Sequence, residues 1–302
     1  MEIKQAKYYK YSTLTQENIS NEKGKNLLVK PFLKWAGGKR QLIKEYRKYI
    51  PTTYGNYFEP FVGAGAILFY LQPKSAIISD KNEELINCYM CIKENVDELL
   101  TELRKHYNDE DYFYQIRDLD RQPLFSTLTL AQRAARIIFL NKTCFNGLFR
   151  VNSQGQFNVP YGNYESPNFI DEVVLKAVSN YMNSNLIKIL NCDFSVSLES
   201  TQANDFVYLD PPYDPISETS SFTGYNLDRF GKEDQKRLKE YVDLLTEKKC
   251  KVMLSNSSTE FILNLYSDKK YTIIRIPATR NINSVSNGRG KIDELIILNY
   301  NV

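Results

Sequence analysis

Seven short runs rich in β-branched and aromatic residues recur along this chain, and turn residues bound each of them. The runs are NYFEPF (56–61), AIISD (76–80), LIKILNCD (186–193), FVYLD (206–210), KVMLSN (251–256), YTIIRI (271–276) and ELIILNY (294–300). Stretches with a helical pattern, such as 233–248, lie between several of them. Because strands that alternate with helices pair in parallel and are covered by those helices, the sequence predicts an α/β fold with a largely parallel sheet.

The interval between the second and third runs is much longer than one crossover connection. It extends from residue 80 to residue 186 and includes AQRAARIIFLNKT (131–143), which has a helical pattern, followed by a stretch rich in Gly, Asn and Ser. Since a crossover needs only about a dozen residues or slightly more, we predict a mostly helical insertion at 86–185 within an α/β domain formed by 29–85 and 186–302. Residues 1–28 are polar without an apolar period, which predicts a flexible N-terminal arm.

Composition excludes several classes of protein. With 302 residues, 42% of them hydrophobic, the chain can bury a substantial core, which excludes a disulfide-stapled scaffold and wholesale disorder. The longest apolar stretches, such as 66–71, have about a third of the ~20 residues that cross a bilayer. The N-terminus lacks the apolar segment of a signal peptide, so we expect a cytoplasmic protein with no membrane partner.

Cysteine and histidine usage argues against a metal site. Cys88 and Cys91 form a CxxC pair in a stretch with a helical pattern, but the chain has no second pair and a single histidine, His106. A zinc site needs four ligands, so we expect buried helix thiols here and no bound metal. With one histidine, acid–base catalysis by histidine is not expected either.

Basic and acidic residues are segregated along the chain, although the formal net charge is only +3. Residues 30–50 hold seven basic side chains and one acidic, 133–164 hold four and none, and 275–291 hold four and none. Residues 193–228, in contrast, hold seven acidic side chains and no Lys or Arg. This segregation favours an anionic partner bound by the basic segments. For any single cluster, a solvent-exposed helix face is the alternative.

A glycine-rich turn follows the first predicted strand. Gly63 and Gly65 stand directly after NYFEPF, and Leu68 stands where the dinucleotide-binding fingerprint has its third glycine. This position favours a nucleoside cofactor but does not favour NAD in particular, and a simple tight turn is the alternative. Asp80 closes the next run, where its carboxylate can accept hydrogen bonds from both hydroxyls of a ribose; a helix N-cap would give the same pattern.

The segment Asp210-Pro211-Pro212-Tyr213 follows the run FVYL. Two successive prolines fix φ and end the strand, so Asp210 is held at the strand tip with Tyr213 just beyond it. A rigid turn alone would explain the pattern. A fixed carboxylate beside an aromatic ring also suits an amine on a flat base, because the Asp210 carboxylate and the Pro211 carbonyl can each accept one N–H. The nitrogen lone pair is then turned toward an electrophile by positioning and electrostatics.

Several segments occur in the same order as the motifs of one family. They are PFLKWAGGKR (31–40), FEPFVGAGA (58–66), Asp80, FNGLFRVNSQGQFNVPYG (145–162), NCDF (191–194), DPPY (210–213) and RGKIDELIILNY (289–300). From about residue 30 to the C-terminus, the chain resembles the Dam and DpnM type of DNA adenine-N6 methyltransferase (D12 class, group alpha). The resemblance implies a Rossmann-like, S-adenosylmethionine-dependent catalytic domain at 29–85 and 186–302 and an inserted target-recognition domain at 86–185. It also implies methylation of adenine N6 in double-stranded GATC.

The resemblance assigns roles to individual residues. The implied cofactor-binding residues are Trp35, Lys39, Gly63, Gly65, Asp80, Asp193 and Asp210, and the implied catalytic residues are Asp210, Pro211, Pro212 and Tyr213. Lys39 would meet the methionine carboxylate, Asp80 the ribose, and Asp193 the adenine end of the cofactor. Tyr213 would stack on a target adenine flipped out of the duplex. Trp35 as a core anchor and Lys39 as part of a solvated face are the alternatives.

The implied DNA-binding residues lie in a DNA-reading hairpin at 144–164. They are Phe145, Asn146, Leu148, Arg150 and Pro160. Arg150 would make a bidentate contact to O6 and N7 of a guanine; a phosphate contact without sequence information is the alternative. Phe145 and Leu148 could equally be core residues, and Phe145 stands where the family often has tyrosine.

The sequence therefore predicts a cytoplasmic, site-specific DNA adenine methyltransferase that acts on double-stranded DNA. A cognate restriction endonuclease that forms no stable complex with it is a compatible further partner. Two alternatives remain open. One is a methyltransferase that uses the same Asp-Pro-Pro-Tyr segment on RNA or on a side-chain amide, and the other is a protein that binds DNA without methylating it.

Overall fold

Among the residues that this computed structural model describes, which are 20–21, 24–35, 39–215, 230–279 and 291–301, seven strands form one central sheet. The strands are β1 (Tyr57–Glu59), β2 (Ser75–Asp80), β3 (Leu186–Asn191), β4 (Phe206–Leu209), β5 (Lys251–Ser257), β6 (Thr272–Thr279) and β7 (Lys291–Leu298). Their order across the sheet is β3-β2-β1-β4-β5-β7-β6. Strands β1 to β5 pair in parallel, and β7 is antiparallel to both β5 and β6. The predicted α/β fold with a largely parallel sheet is confirmed.

The strand order brings two loops together. The chain runs outward from β1 to β3 and then returns to β4, which lies on the other side of β1. The carboxyl ends of β1 and β4 are therefore adjacent, at the position where open α/β sheets bind their ligands. The glycine turn that follows β1 and the Asp-Pro-Pro-Tyr segment that follows β4 share this edge of the sheet.

Helices cover both faces of the sheet. They are α1 (Ile43–Tyr46), α2 (Ala66–Leu71), α3 (Glu83–Glu94), α4 (Val96–Leu103), α5 (Glu110–Arg117), α6 (Leu130–Thr143), α7 (Glu172–Ser184), α8 (Phe194–Leu198), α9 (Lys232–Glu247) and α10 (Glu260–Leu265). Strand β4 shows how the two faces divide: Phe206 and Tyr208 join the core beneath α2, α3, α6 and α7, while Val207 and Leu209 join the core beneath α8, α9 and α10. Because side chains alternate along a strand, a strand covered on both faces is apolar at every position, as β4 is.

The long interval after β2 contains α3 to α7 and a hairpin. The helical pattern at 131–143 corresponds to α6, which begins with a capping box between Thr129 and Gln132. Two β-bridges, Cys144 with Tyr161 and Val151 with Phe157, define the hairpin that follows α6. Helix α3 crosses the predicted boundary at residue 86 and packs on β2, β3, α6 and α7, and the division into domains stays a prediction.

Part of the predicted N-terminal arm contacts the end of α2. Residues 1–19 and 22–23 lie outside the described residues. The short pairs Ser20–Asn21 and Lys25–Asn26 form an antiparallel ladder. The Lys25 ammonium donates to the carbonyl of Tyr70 (2.9 Å), and Asn26 exchanges backbone hydrogen bonds with the Gln72 side chain (3.1 and 2.8 Å).

Two further expectations concern α3 and the membrane. Cys88 and Cys91 lie on α3 as buried free thiols, as the sequence predicted. In the described part of the chain, no helix is long and apolar enough to cross a bilayer.

Candidate active site

Asp210 and Lys39 form a largely buried ion pair at the carboxyl end of β4. The Lys39 ammonium lies 2.8 Å from Oδ2 of Asp210, and the Lys39 side chain is almost fully buried. Burial raises the pKa of Asp210 to about 6, the Lys39 ammonium opposes this rise, and the neighbouring Glu294 carboxylate adds to it. Burial lowers the pKa of Lys39, but the two carboxylates outweigh it and the net shift is upward. At neutral pH the pair is therefore a carboxylate and an ammonium.

The Tyr213 ring lies beside this pair. Its hydroxyl donates a hydrogen bond to Oε1 of Glu294 (2.5 Å), and the Lys39 ammonium lies 4.9 Å from the centre of its ring. The turn that carries Tyr213 is tied to the scaffold on both sides. Gln235 of α9 donates to the Pro212 carbonyl (2.8 Å), and the Asp214 amide donates to Asn256 at the end of β5 (3.3 Å).

Glu294 is a site residue for which sequence reasoning proposed no role. It is buried on β7, and its Oε1 accepts hydrogen bonds from the hydroxyls of Tyr213 and Tyr46 and lies 3.7 Å from the Lys39 ammonium. The sequence feature that could have pointed to Glu294 is its acidic side chain at the start of the otherwise apolar run ELIIL.

Glu59 is a second buried carboxylate, and it too is an acidic residue within a predicted strand, the run NYFEPF. It accepts hydrogen bonds from the Tyr57 hydroxyl (2.8 Å) and from the Leu68 amide (3.1 Å), and thereby joins β1 to α2. Burial is the main reason why the pKa of Glu59 rises to about 8. Glu59 is therefore largely protonated at neutral pH and adds little charge next to Asp210.

The glycine turn after β1 is bonded to Asp80. Gly63 and Gly65 have φ values of +48° and +69°, in the left-handed region that favours glycine. The Gly63 amide donates to Oδ2 of Asp80 (3.2 Å), and the Asn82 amide donates to Oδ1 (2.9 Å). A Cβ at Gly65 would lie 2.6 Å from the Tyr89 hydroxyl. A side chain is therefore disfavoured by backbone conformation at both glycine positions, and at Gly65 by packing as well.

Trp35 connects this turn to the hairpin. A Cβ at Gly63 would lie 3.1 Å from the Trp35 ring, and the ring stacks on Phe149 with 4.7 Å between ring centres. Trp35 is only half-buried, so it packs at the edge of the core and not within it. Four of the predicted cofactor-binding residues thus lie together around the turn after β1: Gly63 and Gly65 in the turn, and Trp35 and Asp80 against Gly63.

Asp193 lies away from the turn after β1, and two cationic side chains contact its carboxylate. Its carboxylate caps α8 and accepts hydrogen bonds from the Ser195 amide (3.0 Å) and hydroxyl (2.6 Å) on Oδ1. On Oδ2 it meets Arg237 (2.9 Å) and Lys81 (3.0 Å). Burial raises the pKa of Asp193, but these donors outweigh it and the net shift is downward.

The hairpin exposes three of its five predicted DNA-binding residues. Phe145, Asn146 and Pro160 are exposed, whereas Leu148 and Arg150 are half-buried. The Phe145 amide donates to the Pro160 carbonyl (2.9 Å), which brings these two together. With 52% of its surface exposed, Phe145 is not a core residue.

Arg150 is held by the opposite side of the hairpin. Its Nε donates to Oδ1 of Asn158 (2.7 Å), and its Nη2 donates to the Asn158 carbonyl (2.9 Å). The Asn158 amide donates back to the Arg150 carbonyl (3.0 Å). Neither side-chain bond uses Nη1, so the outer edge of the guanidinium keeps donors for a partner.

Comparison with known proteins identifies relatives along most of the chain. Residues 35–282 match the model of a family described as D12 class N6 adenine-specific DNA methyltransferase. The chain is 45% identical over 274 residues to the type II methyltransferase M1.LlaDCHI of Lactococcus lactis subsp. cremoris, covering 90% of this chain and 96% of that one. It is 43% identical over 292 residues to the type II methyltransferase M.MjaIII of Methanocaldococcus jannaschii (90% and 99%). It is 32% identical over 269 residues to the DNA adenine methylase of Escherichia coli K12 (88% and 94%).

Proposed function

Because this chain belongs to the D12 class of N6 adenine-specific DNA methyltransferases, we propose that it methylates N6 of adenine in double-stranded GATC, using S-adenosylmethionine and a flipped-out base. The geometry at Asp210 supports this proposal most directly. A buried carboxylate holds a nitrogen, that of Lys39, 2.8 Å from Oδ2 and 4.9 Å from the centre of the Tyr213 ring. An aromatic amine needs the same combination of acceptor and ring face.

The residues around Asp210 would position the amine. One oxygen of the ionised carboxylate accepts one N–H of N6, and the Pro211 carbonyl accepts the other; no hydrogen bond between described residues occupies that carbonyl. Tyr213 stacks on the base, and the lone pair of N6 turns toward the methyl donor. Asp210 then stabilises the positive charge that N6 acquires, until one N6 proton is released to water.

The turn after β1 fits the proposed cofactor. Asp80 accepts hydrogen bonds from the Gly63 and Asn82 amides, and the Lys81 amide also favours its ionised form. With about four acceptor positions on a carboxylate, at least one stays available for a ribose hydroxyl. Lys39 is a buried cation suited to a carboxylate. S-adenosylmethionine supplies an electrophilic methyl group when it is bound. Asp193 already accepts four donors, so we propose that the segment around it meets the cofactor through its main chain.

Lys39 has two competing partners in this proposal. Its ammonium occupies the Asp210 oxygen that would accept the target amine. The methionine carboxylate would draw the ammonium away and release Asp210 for the base. Cofactor binding and insertion of the base into the site would thereby be favourably coupled.

The two alternatives receive less support. Membership of a DNA methyltransferase family argues against RNA or a side-chain amide as the substrate. The assembled group of Asp210, Lys39 and Tyr213 argues against a protein that only reads DNA. Two relatives are named type II methyltransferases. We therefore propose that the protein modifies DNA within a restriction–modification system whose nuclease forms no stable complex with it.

Expression in a bacterial host that lacks adenine methylation tests the reaction and the site together. Genomic DNA should become resistant to a GATC nuclease that adenine methylation blocks, and should stay sensitive to one that tolerates it. DNA from cells that express the Asp210→Ala variant is the control. If nucleoside mass spectrometry finds N6-methyladenine while GATC is still cut, the recognition sequence is wrong. If it finds none, the proposed reaction is wrong.

The pH dependence of the enzyme should follow Asp210. The ionised carboxylate is the stronger acceptor for an amine N–H and carries the charge that stabilises the positive N6, and the pKa of Asp210 is about 6 in the free enzyme. Activity should therefore be retained above this pH and fall as the pH decreases through it. Measurement of kcat/KM from about pH 5 to about pH 8 reports the groups of the free enzyme. A profile that is flat over this range would contradict the assignment.

A further inference from the structure

Glu294 lies where hydrogen-bond donors from three segments converge, and we propose that it is a positioning residue that sets the Tyr213 ring beside Asp210 for methyl transfer. This inference rests on the proposed function. The donors are the Tyr46 hydroxyl from α1, the Tyr213 hydroxyl from the turn after β4, and the Lys39 ammonium from the short helix at Lys39–Gln41.

The backbone of Glu294 is held by strand pairing on both sides. It lies on β7 opposite Ser257 of β5 and Ile276 of β6. Tyr213, in contrast, lies in a turn outside the strands. Because β7 is paired on both sides, the Glu294 carboxylate gives the turn that carries Tyr213 a rigid reference point.

A carboxylate also fixes the direction of each hydrogen bond. An ionised carboxylate only accepts, so both phenols must donate to it. The Tyr46 hydroxyl additionally meets the Ser255 hydroxyl (3.0 Å), which also meets the Tyr208 hydroxyl (3.0 Å). Because the Tyr213 hydroxyl is anchored at the far end of the ring, the plane of the ring is set before a base arrives. Small errors in such positions can reduce rates by about 10²-fold.

The charge of Glu294 has an effect separate from its hydrogen bonds. Six groups surround Asp210: Lys39 before α1, Tyr46 on α1, Glu59 on β1, Tyr208 on β4, Tyr213 after β4 and Glu294 on β7. Glu294 raises the pKa of Asp210, whereas Lys39 and the Tyr213 hydroxyl lower it. Removal of the Glu294 charge should therefore move the acidic limb of the activity profile to lower pH.

Glu294→Gln tests the proposal because it preserves the shape of the side chain and removes the charge. We expect kcat to fall by about tenfold or more, while KM for the duplex and for the cofactor changes by less than about threefold. The acidic limb should move to lower pH. Tyr213→Phe removes the same hydrogen bond from the other side, and should lower kcat but move the limb to higher pH. In the Tyr213→Phe background, Glu294→Gln should reduce kcat less than it does in the wild-type protein.

Asp205→Asn is the matched control. Asp205 is another buried carboxylate, but it precedes β4 at the opposite edge of the sheet and accepts hydrogen bonds from Asn56 and Gln202. Its loss should lower thermal stability and leave kcat and the pH profile unchanged. An unmoved acidic limb in Glu294→Gln, or fully additive effects of Glu294→Gln and Tyr213→Phe, would overturn the proposal. If Glu294→Gln does not fold, Tyr213→Phe with unchanged kcat overturns it equally. Absence of methylation by the wild-type protein would instead refute the proposed function.

Discussion

Replacement of Asp210 by alanine is expected to lower the rate of methyl transfer by about 10³-fold and leave duplex binding nearly unchanged. The carboxylate is the charged acceptor for the amine, and its loss removes an interaction that strengthens as N6 becomes positive. Loss of one such preorganised group costs about 10²–10³ in kcat, and here the loss should lie at the upper end because the ion pair is largely shielded from solvent. Duplex affinity should persist, since it depends mainly on cationic contacts to phosphates.

Single-turnover methylation and fluorescence anisotropy with a labelled duplex measure the two properties separately. Asp210→Ala leaves the buried Lys39 without its nearest partner, and a broken buried pair costs about 3–5 kcal/mol. Asp210→Asn is therefore the control for folding, because its amide oxygen can still meet Lys39. It should lose activity as well, although less completely. Turnover within about tenfold of the wild-type rate in a folded Asp210→Ala protein would remove Asp210 from its role.

The sheet was largely predictable because each strand leaves a local signature. All seven runs form strands, and the ends agree closely for runs bounded by Pro or Gly, such as the one before Pro211. The placement of β7 between β5 and β6, antiparallel to both, was not predicted. An apolar run indicates that a strand is buried, but it does not identify the strands that pair with it or their direction.

The candidate site was predictable where a motif keeps its residues together, as in Asp210 to Tyr213. The contact between Lys39 and Asp210 joins residues far apart in sequence, and no local pattern specifies it. Glu294 was missed for the same reason, because its partners Tyr46 and Tyr213 lie on other segments. The engagement of Asp193 with Arg237 and Lys81 also depends on packing between distant elements. Such contacts follow from the folded topology and not from spacing along the chain.

Replacement of Arg150 by alanine should weaken discrimination at one guanine of the recognition sequence by about 1–3 kcal/mol. Asn158 holds the guanidinium through Nε and one hydrogen of Nη2. The remaining hydrogens of Nη1 and Nη2 lie along the outer edge, which is the edge that can bind O6 and N7 of guanine together. Because Asn158 already holds the guanidinium in place, the Arg150 side chain loses little conformational entropy when it binds a base.

Competition between the cognate duplex and duplexes substituted at each guanine in turn would measure the effect. Loss at one position, with non-specific affinity retained, identifies a base contact, because phosphate contacts carry no direct sequence information. Arg104→Ala is the matched control, since this exposed arginine pairs with Glu172 on α7 and should affect neither property. If Arg150→Ala instead lowers affinity equally on every duplex and reduces the salt dependence of binding, Arg150 contacts the phosphate backbone. Recognition of the guanine would then depend on other residues at the DNA surface.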